Sequence, residues 1–392
     1  METGHMPEAD TATPPRSPRI LVADDQEDVL VAIELLLKSE GIVPDFAQSP
    51  TDVVRAVEAH PYDLLLLDMN YGGDTTSGAE GLALLSRIQQ HDRTLPVVLM
   101  TAWGNVDLAV EAMRGGGSDF ILKPWDNQKL IETIHRNLAR RLSRFHLALE
   151  SEVHEAQRIQ RRLLPAELPR LAGCELHGSW HPAAGVGGDY YDAIRLGESR
   201  VAFSIADVSG KGLPAALLMA NVQAAVRALA PALESAAEVC AKANKVVFGN
   251  TPSEKFVTFF YGLLDVTTGR MQYSNAGHPP PVVVRSDGST LRLPEGGRVL
   301  GLFNDVEYHE GAVVLNAGDR VVLYTDGITE AEDAAGQEFG EGRLIDLLLR
   351  NRNCPAGQIH GVLLDAVRLH AGRLEDDATL LTVSMGQTPF SL

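Results

Sequence analysis

The 392-residue sequence has only three cysteines, Cys174, Cys240 and Cys354, and no CxxC pair. A disulfide framework and a cysteine-ligated zinc site are therefore not expected; a reduced, cytoplasmic setting is, with each thiol a small buried hydrophobe. No HExxH motif is present among the twelve histidines, so the common histidine-ligated zinc site is also missing. Basic residues are outnumbered 34 to 52, for a net charge of −18, which argues against nucleic acid as a partner because phosphate backbones need a basic face. No uninterrupted apolar run approaches the roughly 20 residues of a membrane span, so no membrane partner is expected. The first residues, METGHMPEADTATPPRSP, lack an apolar signal core and read as a disordered tail (1–17), as does 387–392. There is no GxSxG and no cysteine beside a plausible base, so a protein nucleophile for hydrolysis is not evident.

What remains is organised around aspartates. From 18 to 127, short apolar runs (RILVADD, YDLLLLD, LPVVLMTAW, DFILKP) alternate with amphipathic stretches. That pattern predicts an α/β domain, a parallel sheet with crossover helices. The runs end in Asp24 and Asp25, in Asp68, in Thr101 and in Lys123, which an open parallel sheet gathers at its carboxyl edge. Three carboxylates crowded together need a cation, and hard oxygen donors suit Mg²⁺. A single aspartate at a strand end can simply cap the next turn; the ordered set is harder to explain that way.

This segment resembles the receiver domain of two-component response regulators, which implies a doubly wound, flavodoxin-like α/β fold with a five-stranded parallel sheet. The resemblance implies that Asp68 is the phosphoacceptor, that Asp24 and Asp25 hold Mg²⁺ with the backbone carbonyl of Asn70, that Thr101 is the switch hydroxyl, and that Lys123 pairs with the phosphoryl oxygens. It also implies a cis Lys123–Pro124 bond and a histidine kinase as phosphodonor. Two departures stand out: the loop MNYGGDTTSGAEG after Asp68 is longer than usual, and Trp103 occupies the aromatic switch position where Tyr or Phe is commoner.

Between 128 and 165 no glycine or proline interrupts the chain until Pro165, and apolar residues recur at 131, 134, 138, 142, 145, 149, 153, 156, 159 and 163. This predicts one long helix with a narrow apolar stripe, suited to a coiled coil across a homodimer or to packing on the chain's own domains.

From 166 to 386 the pattern changes to strand pairs joined by turns, an α+β domain with a central antiparallel β-sandwich flanked by helices. GDYYDAIRL and RVAFSIADVSGKG flank a turn at Gly197–Ser199, and Asp189 and Asp207 lie nine residues either side of Glu198. Paired as a hairpin, they finish side by side. DRVVLYTDGITEA predicts a buried strand ending in Asp326, and DDATLLTVSM a strand starting after Asp376 and Asp377. Carboxylates without histidine or cysteine suggest two hard ions, Mg²⁺ or Mn²⁺, that activate water and clamp a phosphoryl group. The glycines of GVGGD and SGKGLP lack a phosphate-binding loop's GK[ST] and are equally compatible with plain turns.

In order, EAQRIQRRLLP, GVGGDYYD, ADVSGKGLPAALLMA, NAGHPPP, LYTDGITEA and DDATLL resemble the metal-dependent type 2C protein phosphatases, specifically the sporulation-phosphatase branch. That resemblance implies catalysis by Asp189, Asp207, Asp326 and Asp376 through two Mn²⁺ or Mg²⁺, with the backbone carbonyl of Val208 as a further ligand. Asp376 is expected to be the direct ligand of its pair and Asp377 its neighbour. Tyr190, Tyr191 and His278 could line the site or pack. The whole then reads as a response regulator whose output hydrolyses a phosphoserine or phosphothreonine protein, such as an anti-sigma-factor antagonist. The alternatives are a non-catalytic adaptor on the same fold and a DNA-binding regulator, for which no basic recognition helix is present.

Overall fold

The computed structural model describes residues 17–71, 79–102 and 106–386. Trp103, much of the long loop after Asp68 and nearly all of both terminal tails lie outside the described residues. The chain divides into two compact units, Met1–Glu150 and Ser151–Leu392.

The first unit carries β1 (Ile20–Ala23), α1 (Glu27–Ser39), β2 (Asp45–Ala47), α2 (Pro50–Ala59), β3 (Leu64–Asp68), α3 (Ala79–His91), β4 (Val97–Ala102), α4 (Val106–Arg114), β5 (Asp119–Lys123) and the start of α5 (Asn127–Leu163). The strands form one parallel sheet in the order β2-β1-β3-β4-β5. Alternation along each strand feeds two cores. Leu65, Leu67, Val97 and Leu99 pack with Val53, Leu84 and Leu85, while Leu64, Leu66, Val98 and Met100 pack with Ile33, Leu37, Leu130 and Ile134. Burial on both faces is why these strands read as unbroken apolar runs. Strand β2 is a three-residue edge strand with two exposed residues, too short and too polar to be marked by an apolar run.

Helix α5 is continuous over 37 residues. Leu130 and Ile134 anchor its start, whereas Leu142, Phe145 and Leu149 are exposed. Near its end the expected stripe is off by one position: Ile159 is 57% exposed and Gln160 only 4%. The 3.6-residue period drifts away from a 3.5-residue stripe over this length, and the polar Gln160 faces inward.

The second unit stacks two sheets between helices. Strands β6 (Cys174–His181), β7 (Tyr190–Leu196), β8 (Arg200–Val208), β9 (Val257–Asp265), β10 (Arg270–Ala276), β11 (Val282–Val284), β12 (Thr290–Arg292), β13 (Gly296–Gly297), β14 (Gly311–Val314), β15 (Arg320–Tyr324) and β16 (Ala378–Met385) are joined by α6 (Leu213–Leu229), α7 (Ala236–Phe248), α8 (Asp326–Thr329), α9 (Gly340–Arg350) and α10 (Ala356–Ala371). One sheet runs β13-β10-β9-β8-β7 with β14 on β10, the other β12-β11-β15-β16-β6. The pairings are antiparallel apart from the short β10–β13 contact. The inner faces meet through residues such as Phe203, Leu323 and Leu381, in a core that also takes in α6 and α7. The outer face of the second sheet (Val322, Tyr324, Leu380) lies under α9 and α10.

The segment Leu213–Ala232, centred on α6, is long and apolar enough to cross a membrane by length and composition, although 39% of it is buried inside the fold. Five of its residues, Ala215, Met219, Val222, Val226 and Ala230, belong to the core of the second unit. Asp326 opens the one-turn helix α8 two residues beyond the end of β15, where a strand reaching Asp326 was expected. The single HxxxH spacing, His177 and His181, falls on strand β6, and His177 packs edge-on against His360 at 4.7 Å.

Candidate functional sites

The parallel sheet brings Asp24, Asp25 and Asp68 together, each offering an oxygen within 4.8 Å of the others; among the described residues no other group of three or more metal-type ligands is as compact. Asp24 and Asp68 are buried and Asp25 is exposed. Lys123 Nζ lies 2.5 Å from Asp24 Oδ2 and 3.0 Å from Asp68 Oδ1, so its ammonium bridges two strand ends. Burial pushes the Asp68 carboxyl up to about 6, with Lys123 pulling it down and Asp24 adding to the rise. Thr101, one position inside the end of β4, is buried at the same edge. The side-chain Oδ1 of Asn70 is buried without a hydrogen-bond partner, and the Lys123–Pro124 bond is cis.

In the second unit, β7 and β8 pair Tyr190 with Ala206 and Leu196 with Arg200. The next position outward in that register is Asp189 opposite Asp207. Asp189 is 1% exposed; its Oδ2 accepts a hydrogen bond from Thr325 Oγ1 at 2.8 Å, and its Oδ1 has no partner. Burial raises it well above the ordinary carboxylate range, and the charges of Asp207 and Asp377 raise it further. Asp207 is pushed up to about 7 by burial, then by Asp326, Asp376 and Asp377. Asp326 is raised by burial and by Asp376, and Lys211 opposes the rise. These carboxylates therefore gather into one electrostatic cluster with too little positive charge of its own.

The glycines explain how the backbone comes so close. A Cβ on Gly187 would sit 2.4 Å from Asp377 Oδ2, one on Gly188 2.9 Å from the Val208 carbonyl oxygen, and one on Gly327 2.1 Å from the Asp377 carbonyl oxygen. Asp377 accepts backbone N–H bonds from Ala183 (2.9 Å) and Gly188 (2.7 Å), so its carboxylate ties the GVGGD loop to the start of β16. The Asp376 side chain is instead half exposed, 3.2 Å from Lys211 Nζ, and lines a cavity of about 180 Å³ together with Asp326, Lys211 and Arg373.

Tyr190, Tyr191 and His278 are buried packing residues: Tyr190 bonds Asp192, the Tyr191 ring fills the space over Gly178, and His278 Nδ1 pairs with Thr258 at 2.8 Å. Sequence reasoning does not single out Thr325, Lys211 or Gln160. Thr325 stands within LYTDG but is overshadowed by the aspartate after it, and Lys211 lies in a glycine-rich turn whose only local signal is that of a phosphate loop.

Known proteins resemble both units of the chain. The description "Stage II sporulation protein E (SpoIIE)" matches residues 197–386, and "Response regulator receiver domain" matches residues 20–135. Phosphoserine phosphatase RsbU of Bacillus subtilis is 30% identical over 238 residues, covering 60% of this chain and 70% of that protein. The chain belongs to the SpoIIE family of protein phosphatases, with a receiver domain at its N-terminus.

Protein IcfG of Synechocystis is 24% identical over 335 residues, covering 75% of this chain and 51% of its own length. The solved RsbU and RsbW domains of Rv1364c from Mycobacterium tuberculosis share 29% identity and a TM-score of 0.52 over 57% of this chain and 63% of theirs. The PP2C domain of SiaA from Pseudomonas aeruginosa, at 20% identity and a TM-score of 0.54 over 61% of this chain and 98% of its own, shares the fold. The SpoIIE-family phosphatase is thus an enzyme of the metal-dependent serine/threonine phosphatase class, with both its fold and its receiver as the sequence motifs implied. Asp189 lies just before the stretch matched by the family description; the β7–β8 register is what joins it to the rest.

Proposed function

We propose that this chain is a two-component response regulator that dephosphorylates a phosphoserine or phosphothreonine protein by two-metal-ion hydrolysis under control of Asp68. The observation that carries the reading is the convergence of Asp189, Asp207, Asp326 and Asp376 on one cluster, with the buried Asp189 Oδ1 left without a partner.

The donor set fits hard divalent ions: carboxylate and carbonyl oxygens with no histidine or thiolate. Asp189, Asp207, Asp326, Asp376 and the Val208 carbonyl would hold two Mn²⁺ or Mg²⁺. When bound, such ions supply an activated water and charge stabilisation for the phosphoryl group. Asp377 keeps the GVGGD loop against β16 and Thr325 orients Asp189; Lys211 and Arg373 are the two cations on an adjoining cavity that also carries Asp326, Glu330, Glu332, Glu375 and Asp376.

In the receiver, Asp24, Asp25 and the Asn70 carbonyl would hold Mg²⁺ beside Asp68, which takes a phosphoryl group from a histidine kinase. Lys123 meets the added oxygens, and Thr101 and Trp103 carry the change outward. The exposed stripe of Leu142, Phe145 and Leu149 on α5 suits a second copy of the chain, giving a homodimer. A relative named a phosphoserine phosphatase supports a phosphoprotein substrate, and an anti-sigma-factor antagonist is our candidate. The three unpaired cysteines suit a cytoplasmic setting. A merely adaptor role is disfavoured because every carboxylate of the site is retained. The test is Mn²⁺-dependent release of phosphate from p-nitrophenyl phosphate and a phosphoserine protein: Asp326→Asn should abolish it, and hydrolysis that survives a chelator would overturn the two-metal reading.

A further inference from the structure

Helix α5 reaches directly into the loop that carries the phosphatase aspartates. Gln160 is buried, and its side-chain amide closes on one residue from both sides. Its Nε2 donates to the Gly187 carbonyl at 2.5 Å, and its Oε1 accepts from the Gly187 N–H at 3.0 Å. Two turns earlier on the same helix, Val153 lies against Gly185, where a Cβ would meet its Cγ1 at 2.6 Å. The helix thus grips the loop at two points seven residues apart on one face.

The next residues continue the chain of contacts. Gly188 N–H bonds Asp377, and Asp189 follows immediately with its unpartnered Oδ1. A glutamine amide suits this position because it satisfies both a backbone donor and a backbone acceptor that would otherwise be buried unpaired.

From this geometry we infer that Gln160 is a positioning residue of the phosphatase site. It fixes the backbone of Gly187, and through it the placement of Asp189, so that the last turns of α5 set how well the carboxylates hold metal. The inference rests on the two-metal reading of that site. Groups that orient metal ligands from behind typically change metal affinity by roughly 10–100-fold when removed. Gln160 touches no substrate, so its effect should appear in metal binding before it appears in chemistry.

The experiment uses the full chain and direct titration with Mn²⁺, reading free ion by electron paramagnetic resonance, with the receiver's own ion as an internal control. Gln160→Met preserves side-chain volume and removes both hydrogen bonds. It should weaken the phosphatase-domain Mn²⁺ sites by roughly 10–100-fold and leave the receiver site unchanged. Gln160→Glu keeps an acceptor for Gly187 N–H and should show a smaller loss. At saturating Mn²⁺, Gln160→Met should regain most of the wild-type kcat. Unchanged Mn²⁺ affinity in Gln160→Met would overturn the inference, as would equal weakening at both the receiver and phosphatase sites. A wild-type protein that binds no Mn²⁺ beyond the receiver's ion would instead sink the underlying two-metal reading.

Discussion

Replacing Gly187 with alanine puts the close-approach argument at risk with the smallest possible change. The new Cβ would stand 2.4 Å from Asp377 Oδ2, whereas an ordinary carbon–oxygen contact is roughly 3.3 Å. Either the carboxylate or the loop must therefore move by about 0.9 Å. Asp377 holds the loop through N–H bonds of 2.9 and 2.7 Å, and a shift of that size breaks at least one of them. A hydrogen bond to a charged group contributes roughly 1.5–3 kcal/mol, and overpacking costs roughly 1–3 kcal/mol. The two describe the same displacement, so about 2–3 kcal/mol in total is expected rather than their sum. For a domain of this size that lowers the phosphatase transition by about 5–10 °C. A misplacement near 1 Å costs roughly 100-fold in rate, so Mn²⁺-dependent hydrolysis should fall by about that factor. Gly342→Ala is the control: it sits exposed in α9 with nothing within 4 Å of the added carbon, and should leave activity unchanged and stability equal or slightly higher. Differential scanning calorimetry and phosphate release on both variants decide the matter. A Gly187→Ala protein with wild-type melting and activity would refute the reasoning.

Three further outcomes follow from the same geometry. Because Asp207 is raised to about 7 and its neighbours also rise, protons compete with metal: the Mn²⁺ concentration for half-maximal activity should increase about tenfold or more per unit as pH falls from 7 to 5, and a flat dependence would contradict it. Asp68 has a folded value above its unfolded one, so its contribution to receiver stability is full below the ordinary carboxylate pKa and lost as pH rises through about 6. Mg²⁺ should accordingly stabilise the receiver more at pH 7.5 than at pH 5 in thermal melts. Asp192 is fully buried and held by Arg227 through contacts of 2.7 and 3.0 Å; Arg227→Met leaves that charge uncompensated and, since the arginine is half exposed, should destabilise the domain by about 2 kcal/mol in urea unfolding.

Much of this was legible in the sequence because the deciding features are short-range. The hairpin arithmetic around Glu198 gives the Asp189–Asp207 pairing directly, and the β7–β8 register reproduces it. The receiver aspartates could be found because parallel strands buried on both faces are continuous apolar runs, whose ends are easy to see. What stayed hidden depends on contacts between distant segments. Gln160 reads as one more polar residue beside the apolar stripe until Gly187, 27 residues on, supplies its partner. Lys211 and Asp376 are 165 positions apart, and no local pattern links them. Asp377 looks like a duplicate of Asp376, and only the fold shows that one carboxylate binds the loop while the other faces the cavity.

The central claim is tested most directly by one rate: release of phosphate from a phosphoserine protein by the full chain in Mn²⁺, with and without a small phosphodonor that phosphorylates Asp68. The account predicts metal-dependent hydrolysis whose rate changes with the phosphodonor in the wild type, does not change in Asp68→Asn, and vanishes in Asp326→Asn. Hydrolysis that persists in Asp326→Asn, or a phosphodonor response that persists in Asp68→Asn, would contradict it.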